Sequence, residues 1–378
     1  MTPESAMRLA LAQARRARGR VFPNPAVGAV VFRGDRVLGR GSTRPPGGPH
    51  AEVVALENAV RRVGERGVRG ASLAVTLEPC AHHGRTGPCA DLVIERGIRR
   101  VLVGCRDPHP EVSGRGLRRL RRAGVEVQIG VLADECRRQH RGFLSVIERR
   151  RPFVTLKLAG TLDGRIATAD GESRWITGPR AREEVHRMRA STDALAVGSG
   201  TALADDPELT ARRGDRVIHR PVRVLVDSGL RVPVDARAYR GEVGKTWVLC
   251  SSKVSVSRRR RVEGTGARVL TVPARGGHLQ LGRALSRLAK EGLTEVLVEG
   301  GGQLAAALLR RGLVDEVHWF LAPLLIGGDG RSALASLGVE RLSQSLRLGD
   351  LQVRRLGDDV HVWGSVAASA VRPRRAHV

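Results

Sequence analysis

The chain has 378 residues, enough for two domains of ordinary size, and its 41% apolar content suffices for packed cores although aromatics stand at only 3%. Residues 1–20 hold no apolar run of signal-peptide type and no segment approaches the ~20 apolar residues of a membrane span, so a cytoplasmic protein with no membrane partner is expected. The net charge of +27 invites a nucleic-acid reading, yet 61 arginines are scattered along the chain against four lysines, and only one Tyr, five Phe and four Trp could stack on bases. We read the charge as a solvated surface that helps recruit a phosphorylated small molecule, with no nucleic-acid partner.

From the N-terminus, apolar periodicity predicts a helix over 3–18, strands over 27–32 and 36–41 joined by a Gly34-Asp35 turn, and a helix opening at His50. A strand over 71–77 leads to Cys80, and a helical run begins at Cys89. A strand over 100–104, a helix over 116–123, a strand over 125–129 and a helix over 133–147 follow. This alternation predicts an α/β sheet covered by helices on both faces. The charged stretch Glu148-Arg149-Arg150-Arg151-Pro152 is read as a boundary, giving domains 1–148 and 149–367 and a basic tail 368–378. The second domain opens with a strand over 153–158, and further strands are expected over 194–197, 222–226, 246–249, 268–272, 295–298 and 316–321. The arginine run 258–261 is placed between strands as solvated surface.

His50-Ala51-Glu52, Pro79-Cys80 and Pro88-Cys89 carry the most chemistry. His50, Cys80 and Cys89 are three ligands suited to one zinc, and a catalytic zinc needs three protein ligands and an open position for water. Glu52 lies two residues from the first ligand, placed to do proton work. The order matches the zinc-deaminase pattern H-x-E then P-C-x-x-C, except that eight residues, 81–88, separate the cysteines. Both His50 and Cys89 fall at predicted helix N-termini, where the dipole favours a thiolate. His82 and His83 in the insert are read as substrate contacts rather than ligands. Cys105, Cys136 and Cys250 are read as buried or idle thiols, consistent with a reducing compartment.

In the second half, Glu299-Gly300-Gly301-Gly302-Gln303 sits between a strand and a helical run, where glycines let backbone approach a phosphate. It is not the dinucleotide fingerprint G-x-G-x-x-G. Lys157 draws notice because a lysine kept among so many arginines marks a place where a guanidinium does not serve. Asp205-Asp206-Pro207 reads as a helix stop before an extended segment.

The segments Pro23-Asn24-Pro25-Ala26-Val27-Gly28, His50-Ala51-Glu52, Leu77-Glu78-Pro79-Cys80 with His82 through Thr86 and Pro88-Cys89, Leu162-Asp163-Gly164-Arg165, Gly171 through Thr177, Leu203 through Pro207 and Val298 through Gly301 stand in one order. In that order the chain resembles the bifunctional riboflavin-biosynthesis deaminase/reductase family over about residues 1–365. The resemblance implies an α/β chain with a cytidine-deaminase-like three-layer N-terminal domain and a dihydrofolate-reductase-like C-terminal domain. It implies one Zn2+ in the first and NADPH in the second. The implied reactions are deamination of 2,5-diamino-6-(5-phosphoribosylamino)pyrimidin-4(3H)-one and reduction of the ribosyl group of the product to ribityl. Glu52 would be the catalytic acid–base, with Asn24, His82, His83 and Arg85 on the substrate. Ala159, Trp175, Thr201, Asp205, Ser228 and Gly301, Gly302, Gln303, Leu304, Ala305, Ala306 and Ala307 would contact the cofactor. Ser173, Arg189, Leu209, Arg212 and Glu299 would contact the reductase substrate, and Lys157 would join them, sharing proton handling with Asp205. A homo-oligomer is expected.

The competing reading is a transfer-RNA base deaminase carrying an unrelated C-terminal module. Net charge favours it, while the Cys80–Cys89 spacing and the motifs of the second half oppose it. A purely structural zinc in a non-enzymatic protein would leave Glu52 without a purpose.

Overall fold

Runs of Ala, Val and Leu make the central strands, and burial follows on both of their faces. The strand Gly28–Arg33 is buried at its first five positions and Ser72–Leu77 at its last five, the pattern of strands covered on both sides. The computed structural model describes residues 1–81, 87–110 and 112–367. It separates into two compact units that divide at Arg150 and Arg151.

In the first unit a five-stranded sheet runs in the order Arg36–Ser42, Gly28–Arg33, Ser72–Leu77, Arg100–Cys105, Glu126–Ile129. The first two pairings are antiparallel and the last two parallel. Helix Ala51–Val68 lies directly on the edge strand, because a Cβ on Gly41 would stand 2.2 Å from the Ala51 carbonyl oxygen. That close approach fixes the start of the helix, and with it His50 and Glu52, against the sheet. The helix expected over 133–147 is two helices, Ala133–Gln139 and Arg141–Arg149. They part at His140, whose buried ring reaches the sheet and meets Thr76 Oγ1 at 3.0 Å through Nε2. A local tertiary bond thus overrides a continuous apolar pattern.

The second unit carries a nine-stranded sheet in the order Arg268–Val272, Thr246–Ser251, Val222–Val226, Ala194–Gly198, Glu295–Glu299, Phe153–Thr161, Glu316–Ala322, Asp359–Val366, Leu348–Leu356. Pairing is parallel up to Glu316–Ala322, and the last two strands add on antiparallel. The arginine run 258–261 lies in a helix, Val256–Glu263, rather than in a bare connection; Ser255 caps its start and Val262 is its buried residue. Cys105, Cys136 and Cys250 are buried and unpaired. No helix among the described residues is long and apolar enough to cross a membrane.

Candidate functional site

His50 is the cap residue of helix Ala51–Val68, and Cys89 is the first residue of helix Cys89–Glu95. His50 Nδ1 stands 3.3 Å from Cys89 Sγ and 3.7 Å from Cys80 Sγ, and the three ligand atoms lie within 4.8 Å of one another. Tetrahedral zinc with ordinary Zn–N and Zn–S bonds requires nitrogen–sulfur separations of about 3.6 Å. The two observed nitrogen–sulfur separations bracket that value, so the donor set fits one zinc ion.

The Cys89 backbone N–H donates to Cys80 Sγ at 3.3 Å. Hydrogen bonding from the Cys89 thiol, helped by His50, holds the Cys80 thiol down to about 4 against the effect of burial. The same shared bond, together with burial, pushes Cys89 up. His50 is raised to about 8 by its bond to Cys80. Glu52 is only 4% exposed, and burial, then the Cys80 charge, raises its carboxyl to about 7. A carboxyl tuned near neutrality can both take and return a proton.

Glu78, which sequence reasoning did not assign, supports this centre from beneath. Buried at the end of the strand that leads to Cys80, it accepts hydrogen bonds from the Gly114 N–H at 3.2 Å and the Asp107 N–H at 3.4 Å. Burial raises its pKa against those bonds. Gly116 completes the support, since a Cβ there would stand 2.0 Å from the Pro79 carbonyl oxygen. Asn24 is half-buried in the loop before Gly28–Arg33, its N–H bonded to the Val21 carbonyl at 2.9 Å. His82, with His83 and Arg85, lies outside the described residues.

The second unit holds a cleft of about 740 Å³ at the carboxyl ends of its parallel strands. Of the residues singled out from sequence, Lys157, Ala159, Ser173, Thr201, Asp205, Ser228, Gly301, Gln303, Leu304 and Ala307 line it. Gly302, Ala305 and Ala306 are buried in helix Gly302–Leu309 instead. Trp175 is 71% exposed and does not line the cleft; its ring carries the Arg182 guanidinium at 4.6 Å. Thr201 Oγ1 accepts the Gly301 N–H at 2.8 Å, closing the glycine turn onto helix Ser199–Asp205. Gly300 has φ +130 and any Cβ would meet Thr201 Oγ1 at 2.7 Å, so only glycine fits.

Beside the cleft, Arg189 grips Glu299 bidentately, Nε to Oε1 at 2.7 Å and Nη2 to Oε2 at 2.6 Å, and Nη1 donates to the Thr210 carbonyl at 3.1 Å. Lys157 faces Glu299 from the adjacent strand in register. Burial lowers the Lys157 pKa, with Glu299 opposing and Arg189 reinforcing. Burial works against ionisation of Glu299, but Arg189 and Lys157 outweigh it and hold the carboxyl below its usual range. Leu209 is buried with φ 55, and Arg212 is paired with Glu208 while its Nε donates to Thr210 Oγ1 at 3.3 Å. Both arginines expected on the reductase substrate are thus already engaged by carboxylates.

The cytidine and deoxycytidylate deaminase zinc-binding region family matches residues 1–105, and the RibD C-terminal domain family matches residues 152–362. The riboflavin biosynthesis protein RibD of Escherichia coli (strain K12) is 39% identical over 97% of this chain and 100% of its own length. The chain belongs to the RibD family. Among solved structures, Acinetobacter baumannii RibD, form 1, superposes with a TM-score of 0.85 at 35% identity, covering 96% of this chain and 98% of that one. A diaminohydroxyphosphoribosylaminopyrimidine deaminase/5-amino-6-(5-phosphoribosylamino)uracil reductase from Thermotoga maritima superposes with a TM-score of 0.81 at 34% identity, with the same coverage. The α/β class expected for both halves is met, and the chain is a bifunctional deaminase and reductase of riboflavin biosynthesis with zinc and NADPH as cofactors. The transfer-RNA alternative fails on its unrelated C-terminal module, because the second half is a RibD C-terminal domain.

Proposed function

We propose that the RibD deaminase runs on His50, Cys80, Cys89 and Glu52, and the reductase in the cleft of the second unit. The observation that carries this reading is the convergence of three ligand atoms within 4.8 Å beside a buried carboxyl two residues from the first ligand. The substrate of the first step is 2,5-diamino-6-(5-phosphoribosylamino)pyrimidin-4(3H)-one, the compound class named for the T. maritima relative.

Held by His50, Cys80 and Cys89, zinc would lower the pKa of a bound water and so supply the nucleophile. Glu52 takes the proton from the water as its oxygen adds to the amino-bearing ring carbon. It passes that proton to the adjacent ring nitrogen, then takes the remaining proton of the added hydroxyl and hands it to the departing nitrogen, so ammonia leaves and the carbonyl forms. Asn24 orients the pyrimidine from its loop, and His82 is kept as a substrate contact.

The reduction consumes one hydride and one proton. NADPH, when bound, would supply the hydride, and the glycine turn with Thr201, Asp205 and Ser228 are the residues that would hold it. Lys157 is the proposed proton donor to the opened sugar, since burial lowers its pKa; Asp205 at the cleft wall is the second candidate. Ser173 and Leu209 position the sugar, Arg189 keeps Glu299 aligned, and Arg212 reaches the phosphate when it leaves Glu208.

A homo-oligomer is the proposed assembly, supported by Leu351 and Val353, 54% and 64% exposed on the outermost strand; sedimentation checks it. A reducing compartment such as the cytoplasm is proposed on the five free cysteines. The function itself is tested by following ammonia release and NADPH oxidation together, with the diaminopyrimidine ribotide and zinc-loaded protein. Both signals in sequence are expected. Ammonia without NADPH oxidation refutes the reductase assignment, and neither signal refutes both.

A further inference from the structure

A second, separate cavity of about 210 Å³ in the C-terminal unit is lined by Arg212, Arg220, Arg223, Arg237, Arg240 and Glu208, with Thr210 and Gly241 between them. Arg223 is its centre. It projects from the strand Val222–Val226, which is paired on both sides, and it is only 5% exposed. A guanidinium cannot shed its proton, so burial cannot neutralise it. Its Nη1 donates to the Arg240 carbonyl, and it forms no ion pair with a carboxylate among the described residues. Glu242 lies close enough to favour its charge, but Arg220 opposes it.

The lone carboxylate of the lining does not balance this charge. Glu208 is already held by Arg212 and Arg237 together. Gly241, at φ +115, is where the chain makes room: a Cβ there would press to 3.2 Å from Arg223 Nη2. Four guanidinium groups around the buried Arg223, with a single shared carboxylate, leave a concave site with a net positive charge. Planar guanidinium forks are the groups that recognise tetrahedral oxyanions bidentately.

The cavity shares no lining residue with the cofactor cleft. Arg223 stands near the start of its strand, whereas Val226, about 10 Å further along at the strand's end, and Ser228 beyond it line the cleft. We infer that the Arg220–Arg223–Arg237–Arg240 cavity is a second oxyanion-binding site, which takes a phosphoryl group independently of the cofactor. The group comes either from free inorganic phosphate or from a phosphorylated ligand.

Titration calorimetry of the zinc-loaded full chain, saturated with NADPH, tests this with inorganic phosphate against a chloride baseline of equal ionic strength. The variants are Arg220→Ala/Arg240→Ala, both exposed side chains, and Arg223→Met. Phosphate is expected to bind wild type at least tenfold more tightly than the double variant, whose NADPH affinity stays unchanged. Loss in Arg223→Met, with the thermal unfolding midpoint retained, places the anion at the buried member. If 5-amino-6-(5-phosphoribosylamino)uracil abolishes the phosphate heat, the cavity is the reductase substrate's own phosphate site and the inference of a second site is overturned; if the heat persists, the site is separate from the substrate as well as from the cofactor. No phosphate heat in wild type, or equal heat in the double variant, overturns the inference.

Discussion

At the scale of single residues, the deaminase centre was legible because its parts are local. His50 and Glu52 are separated by one residue at a helix start, and Cys89 opens the next helix, so sequence spacing translates directly into geometry. The pairings that escaped join distant elements, such as helix Pro179–Ala190 and strand Glu295–Glu299, although Arg189 and Glu299 were each legible as substrate contacts. Arg189 and Glu299 are 110 positions apart, and nothing local marks them as a bidentate pair. Glu78 and Arg223 look like ordinary charged residues until the fold buries them. The Arg189–Glu299 pair has side chains 20% and 10% exposed, so removing one partner strands the other. Glu299→Gln is therefore expected to destabilise the second unit by about 3 kcal/mol, read as a lowered urea midpoint. An unchanged midpoint would mean that the pair is solvated in practice.

At the scale of elements, apolar strands were read well because continuous Val, Leu and Ala runs leave little ambiguity. The outermost strand Leu348–Leu356 was missed because it is exposed at seven of its nine positions and shows no alternation. Helix Val256–Glu263 was missed for a related reason: arginines occupy the positions where an apolar stripe would have announced it. Helix Arg115–Arg122 meets the loop that carries Cys80 through a glycine. Gly116→Ala must push Pro79 away and tilt Cys80, so zinc affinity is expected to fall roughly 10- to 100-fold, as it does when other metal supports are disturbed. Competition with a chromophoric chelator measures this, and wild-type affinity would show that the loop yields freely.

The strand pair Glu316–Ala322 and Asp359–Val366 makes a separate prediction. His361 is 2% exposed, stacks on Phe320 at 4.1 Å and meets His318 Nδ1 at 3.0 Å through Nε2. Burial first, and the neighbouring His318 second, hold its pKa down to about 4. The unfolded chain titrates near 6.5, so between these values the unfolded state binds more protons. The stability linked to His361 is therefore complete above pH 6.5 and lost as pH falls towards 4. Between pH 7.5 and pH 5 wild type is expected to lose about 2 kcal/mol more than His361→Phe, compared through urea midpoints. Parallel pH profiles for the two proteins would remove His361 from this role.

At the scale of the whole molecule, composition spoke most loudly and least usefully. A net charge of +27 suggested nucleic acid, while the chemistry resided in a handful of spaced residues and two matched domains. Among the described residues, folding gathers five of those arginines around one cavity in the second unit. The central claim is that one chain carries two separable centres, and Glu52→Gln tests it most directly. The variant is given the diaminopyrimidine ribotide while ammonia is measured, then the already deaminated ribotide while NADPH oxidation is measured. Ammonia release is expected to fall about 10²- to 10⁴-fold, with zinc content and NADPH oxidation at wild-type levels. Undiminished ammonia release, or loss of both activities with zinc retained, would contradict it.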